Sequence, residues 1–172
     1  MRALKGSIVS LIFFMMGCSE VIPITISESQ QLYVGLWHYT HEVEKNNRLD
    51  VKDVVLNIKE DGSAIYKTCS VVVEKESMME NSSSNSVYLN SAIVTKLNDA
   101  EMSITQETAL INLNYDLLIT KKPFQKNNHW YVEIDNVLLS KQKTSLLPQL
   151  IEHYCPDIED IELGTETDKE EI

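Results

Sequence analysis

Across residues 109–121, apolar side chains recur at every second position from Ala109 to Ile119, and the face between them is mostly polar. Ala109, Ile111, Leu113, Tyr115, Leu117 and Ile119 share one parity, while Asn112, Asn114, Asp116 and Thr120 fall on the other. Successive side chains of an extended strand point to opposite faces, so this run has one apolar face and one wet face. A period of two held for so long predicts a long, half-buried antiparallel strand rather than an amphipathic helix, whose apolar positions recur every three or four residues.

Such a strand needs partners, and the rest of the chain supplies them. Residues 32–41 read as a first strand. Val54, Leu56 and Ile58 mark a second within 51–59, the turn Asp61-Gly62 follows, and 64–73 run back as its hairpin partner. Val87, Leu89, Ile93 and Leu97 mark another strand, and Met102 and Ile104 a shorter one. Trp130, Val132 and Ile134 open a late strand whose apolar register switches at Asp135-Asn136 to Val137 and Leu139, which suggests a bulge. The Ser- and Asn-rich stretch 74–86 reads as a long mobile loop. Leu146, Leu147, Leu150, Ile151 and Tyr154 form a helical face over 145–154, with Thr144 as N-cap, Pro148 tolerated near the start, and Cys155-Pro156 ending the helix. The expected fold is mainly β: an antiparallel up-and-down barrel or strongly curled sheet of about seven strands, with one C-terminal helix. That arrangement buries one face of every strand and hides the edges.

Part of this pattern is similar to a known family. Gly35-Leu36-Trp37 resembles the Gly-x-Trp start of lipocalin-type barrels, and Leu56-x-Ile58-x-x-Asp61-Gly62-x-Ala64-x-Tyr66 resembles the second hairpin of small lipocalin-like domains. The resemblance spans residues 32–73. It implies a barrel holding an apolar ligand, with Gly35 allowing close packing and Trp37 plugging the closed end. The family commonly sets an Arg late in the barrel over that Trp. Here the only arginines are Arg2 and Arg48, which leaves Lys141 to stand in.

The N-terminus speaks to location. Arg2 and Lys5 precede a run from residue 8 to 16 that is apolar apart from Ser10, too short for the ~18 or more residues of a membrane span but ordered like a secretory signal. Met15-Met16-Gly17-Cys18 resembles a bacterial lipobox. The resemblance implies removal of residues 1–17 and a lipid on Cys18 that holds the chain on a membrane. Ser19, where Asp would favour inner-membrane retention, points to the periplasmic face of the outer membrane. With Cys18 lipidated, Cys69 and Cys155 remain as an even pair in an oxidising compartment, and a disulfide between them is expected. The domain reading is a signal at 1–17, lipidated Cys18 and a tether over 18–30, a lipocalin-like β domain over 31–156, and a mobile acidic tail over 157–172.

Chemistry is sparse. The formal net charge is -11, from 15 basic and 26 acidic residues, which argues against nucleic acid and against electrostatic adhesion to anionic lipid. His38 and His41, three apart on a strand, point to opposite faces and do not share a metal. There is no Gly-x-Ser-x-Gly elbow and no Gly-rich phosphate loop. No catalytic, metal or cofactor site is therefore expected, and the chain reads as a binding protein rather than an enzyme. Two readings stay open. One is a carrier or sensor of an apolar small molecule, with a cavity of ~300 Å³ or more lined by residues such as Trp37, Leu56, Tyr66, Leu113 and Tyr115. The other is a protein-binding module, such as a toxin-immunity or envelope-assembly lipoprotein, steered by its negative charge toward a basic partner.

Overall fold

The computed structural model describes residues 21–45, 48–74 and 83–152. Cys18, Cys155, the signal segment, the acidic tail and most of the Ser/Asn-rich stretch lie outside the described residues.

Eight strands run in sequence order: β1 Gly35–Lys45, β2 Arg48–Ile58, β3 Ser63–Glu74, β4 Ser83–Leu97, β5 Glu101–Glu107, β6 Asn112–Lys126, β7 His129–Ile134 and β8 Val137–Gln142. Each pairs antiparallel with the next, and β8 returns to β1 through Leu36 opposite Gln142, Trp37 opposite Lys141 and His38 opposite Ser140, closing an up-and-down barrel. Closure removes the free edges that an open meander of this length would expose.

The expected fold class stands, with one strand more than the sequence suggested. Asp135 and Asn136 are not a bulge. Both adopt positive φ (50° and 61°), with Ile134 paired to Val137, so they form a two-residue turn between β7 and β8. Asn127 and Asn128 (51° and 63°) reverse the chain in the same way between β6 and β7. Asn and Asp tolerate this left-handed region better than other non-glycine residues. The strand read over 109–121 begins at Asn112 and runs to Lys126, and Ala109, Leu110 and Ile111 belong to the turn before it. The stretch read as a loop to residue 86 is strand from Ser83 onward.

Residues 21–30 pack against the barrel instead of standing off it as a tether. The Ile24 amide donates to the Val94 carbonyl at 3.0 Å, and Ile26 is buried in the main core. Residues Glu28–Tyr33 form a 3₁₀ segment beneath the barrel, so Leu32 and Tyr33, expected to open the first strand, belong to this segment instead. There the Gln30 side-chain oxygen accepts from the Ser27 amide at 2.9 Å and its nitrogen donates to the Leu97 carbonyl at 2.5 Å. Gly62, at φ +80°, permits the close approach of this segment, because a Cβ there would sit 2.8 Å from the Ile24 carbonyl oxygen.

The inward parity builds one core. Trp37, Leu56, Ile58, Leu89, Met102 and Ile104 are each at most 1% exposed. On β2 and β3 the outward parity is buried as well: Val55, Cys69, Val71 and Val73 pack on the outer wall, the last three in a small cluster with Leu49 and Val51. The C-terminal helix begins with a 3₁₀ turn, Thr144–Leu146, followed by α1, described over Leu147–Glu152. Lys143 rather than Thr144 is the N-cap residue, with no side-chain cap. It docks on the outer wall, where buried Lys67 donates from Nζ to the Leu150 carbonyl at 3.2 Å. Lys67 Nζ also lies 3.7 Å from Oδ2 of buried Asp53, whose Oδ1 is 2.8 Å from His38 Nε2. Cys69 is disulfide-bonded, and its partner lies outside the described residues.

Candidate functional site: a small cup at the barrel mouth

The two ends of the barrel differ. At the base, Trp37 is 1% exposed and its Nε1 donates to the Tyr33 carbonyl at 2.7 Å, locking the 3₁₀ segment across the opening. Lys141 lies over the indole with Nζ 5.1 Å from a ring centroid. Gly35 makes room for it: a Cβ there would meet Lys141 Cε at 2.7 Å. Partial burial pushes the Lys141 ammonium below its ordinary pKa.

The opposite end is open on one side. β7 and β8 have 6 residues each against 11 in β1 and β2, so the wall is low where the Asp135-Asn136 turn sits. Below that rim is a cavity of about 130 Å³. Its apolar wall comes from Val54, Leu56, Leu117, Ile134, Val137 and Leu139, and its polar groups are Lys52, Tyr66, Thr68 and Asp135. Each strand delivers these by parity: Lys52, Val54 and Leu56 are alternate residues of β2, and Tyr66 and Thr68 of β3. Tyr66 is 8% exposed. Its phenol pKa is pushed up to about 12, first by burial and then by the Asp135 carboxylate, with a Thr68 hydrogen bond acting the other way. The phenol is therefore a neutral hydrogen-bonding group at the cup. The cup can take a small apolar group and face one or two polar atoms with Lys52, Tyr66 and Thr68.

Of the five residues expected to line a cavity, Leu56 and Tyr66 do. Trp37 belongs to the sealed base. Leu113 and Tyr115 are half-buried on the inner face of β6 outside the cup lining, with the Tyr115 ring 6.2 Å from that of Tyr66. The cavity is also smaller than the ~300 Å³ expected of a pocket for a drug-sized ligand, because large side chains fill most of the interior. Val54 and Leu117 share the parity of residues already singled out and were legible by that signal. Ile134, Asp135, Val137 and Leu139 were not, because reading Asp135-Asn136 as a bulge hid a hairpin.

A second, shallower hollow of about 490 Å³ lies at the base between the 3₁₀ segment and the β4–β5 turn, lined by Gln30, Tyr33, Leu97 and Asp99 among others. Among the described residues, no group of three or more His, Cys, Asp or Glu side chains is arranged to hold a metal ion. No protein family model, curated protein or solved structure matches the chain.

Proposed function

We propose that this protein is a lipid-anchored binding protein of the cell envelope that takes a small apolar group, or the apolar end of a larger molecule, into the cup at the barrel mouth. The observation that carries the reading is the cup: an apolar pocket under a low rim, with Lys52, Tyr66, Thr68 and Asp135 as its polar atoms. An apolar cavity of about 150 Å³ is enough to bind a benzene-sized molecule. The lipobox-like Met15-Met16-Gly17-Cys18 supports the anchor, and the closed up-and-down barrel agrees with the lipocalin-like reading of Gly35 and Trp37. Benzene titrated into the detergent-extracted full chain tests the pocket. Saturable methyl shifts at Leu56, Leu117 and Leu139 are expected, abolished by Val137→Phe with the fold retained by circular dichroism. Shifts that never saturate, or that persist unchanged in Val137→Phe, refute the cup.

The alternative, a protein-binding module such as a toxin-immunity or envelope-assembly lipoprotein, is favoured by charge. Removal of residues 1–17 takes away Arg2 and Lys5, which leaves 13 basic against 26 acidic residues, a net of -13. It predicts capture of one basic partner with an affinity that falls as salt rises.

A further inference from the structure

The turn between β5 and β6 is an anomaly on an acidic barrel. Its tip is Ala109-Leu110-Ile111, with Leu110 93% and Ile111 62% exposed, the former the most exposed large apolar side chain among the described residues. The tip is not a loose loop. The Thr108 amide donates to the Ile111 carbonyl at 3.0 Å, Thr108 Oγ1 donates to the same carbonyl at 2.6 Å, and the Ile111 amide donates back to Thr108 Oγ1 at 3.1 Å. The turn thus satisfies much of its own backbone polarity, which a segment entering an apolar phase requires, while leaving most of its two largest side chains exposed.

The described chain begins beside this tip. The Val21 amide donates to Glu107 Oε1 at 2.6 Å, and Glu107 is the last residue of β5, paired with Asn112 across the turn. Ile22, the next residue, is 76% exposed. Cys18 is three residues before Val21, a reach of at most ~11 Å for a fully extended chain. Because 21–30 is packed on the barrel rather than free, the position of Val21 fixes which end of the domain is nearest the anchor. We infer that the β5–β6 turn, with Ile22 beside the anchor, is the surface the domain lays on the bilayer, Leu110 and Ile111 entering its interfacial layer. The inference rests on the proposed lipidation of Cys18. The acidic balance makes the preferred surface zwitterionic rather than anionic, so attraction comes from apolar insertion and not from charge.

The test uses the full chain, extracted from membranes and reconstituted into phosphatidylcholine vesicles containing brominated lipid. Leu110→Trp and, separately, Ile111→Trp place a reporter at the tip. Lys126→Trp places one at an exposed position near the other end of β6. Flotation of the vesicles first reports attachment. Expected is flotation of all three variants with tip reporters quenched several-fold more than the Lys126→Trp reporter. Flotation with equal quenching at the two ends, or with none at the tip, overturns the orientation and leaves the anchor standing. Failure to float overturns the anchor, and the orientation with it.

Discussion

Trp37→Phe isolates the hydrogen bond that closes the barrel base. Phenylalanine keeps most of the buried ring but removes the Nε1–H that reaches the Tyr33 carbonyl at 2.7 Å. A buried hydrogen bond is worth about 1 kcal/mol net, and leaving its acceptor unpaired adds about 1–2 kcal/mol, so the loss should be roughly 2–3 kcal/mol. Trp37→Ala also deletes the ring and its contact with Lys141 Nζ at 5.1 Å, and should cost about 3–5 kcal/mol. For a domain of this size each kcal/mol lowers Tm by roughly 3–5 °C, which puts Trp37→Phe about 6–15 °C below the parent. Urea and thermal unfolding of the detergent-extracted chain, followed by circular dichroism, read both. Trp130→Phe, at a half-buried position of β7, is the control, expected within about 1 kcal/mol. A Trp37→Phe protein indistinguishable from the parent would refute the argument that the indole clamps the 3₁₀ segment across the base.

Gly62→Ala should destabilise by about 1–3 kcal/mol in urea, since it forces a side chain into φ +80° and to 2.8 Å from the Ile24 carbonyl oxygen; a neutral result contradicts the packing of residues 21–30. The Tyr66 phenol has a folded pKa of about 12 against an unfolded value near 10, so its contribution is complete below pH ~10 and is lost as pH rises toward 12. Ultraviolet titration should find a late-ionising phenol that Tyr66→Phe removes, and seven tyrosines titrating together near their ordinary value would contradict its burial. Peptide mapping without reductant should join Cys69 to Cys155, a loop of 86 residues whose opening by reduction costs roughly 4–5 kcal/mol in the chain-entropy model. Cys69 joined to any other cysteine refutes that pairing.

Strand parity made most of the barrel legible, because an inward-facing position reports itself through a period of two wherever the outer face is wet. It said least on β2 and β3, where Val54 and Val55 are both buried and Val71 to Val73 are apolar on both parities. A strand covered on both faces loses its alternation, so the outer cluster and the docking of α1 through Lys67 left no periodic trace. Alternation also misled at Ala109 and Ile111, which keep the parity of Leu113 and Tyr115 but lie in the exposed turn. A period of two cannot tell where a strand stops. The eighth strand was hidden for a local reason. Asp135-Asn136 lacks the glycine that flags a two-residue hairpin, and an apolar register switch reads equally as a bulge or a reversal until the pairing of Ile134 with Val137 is seen. Half the cup's apolar wall, Ile134, Val137 and Leu139, comes from that hairpin, which is why those residues were missing from the expected lining.

The anchor is tested most directly by growing cells that express the full chain with a clickable fatty acid and comparing it with Cys18→Ala. Strong labelling and membrane partitioning of the parent are expected, both abolished in Cys18→Ala. Equal labelling and partitioning of the two proteins would contradict the anchor.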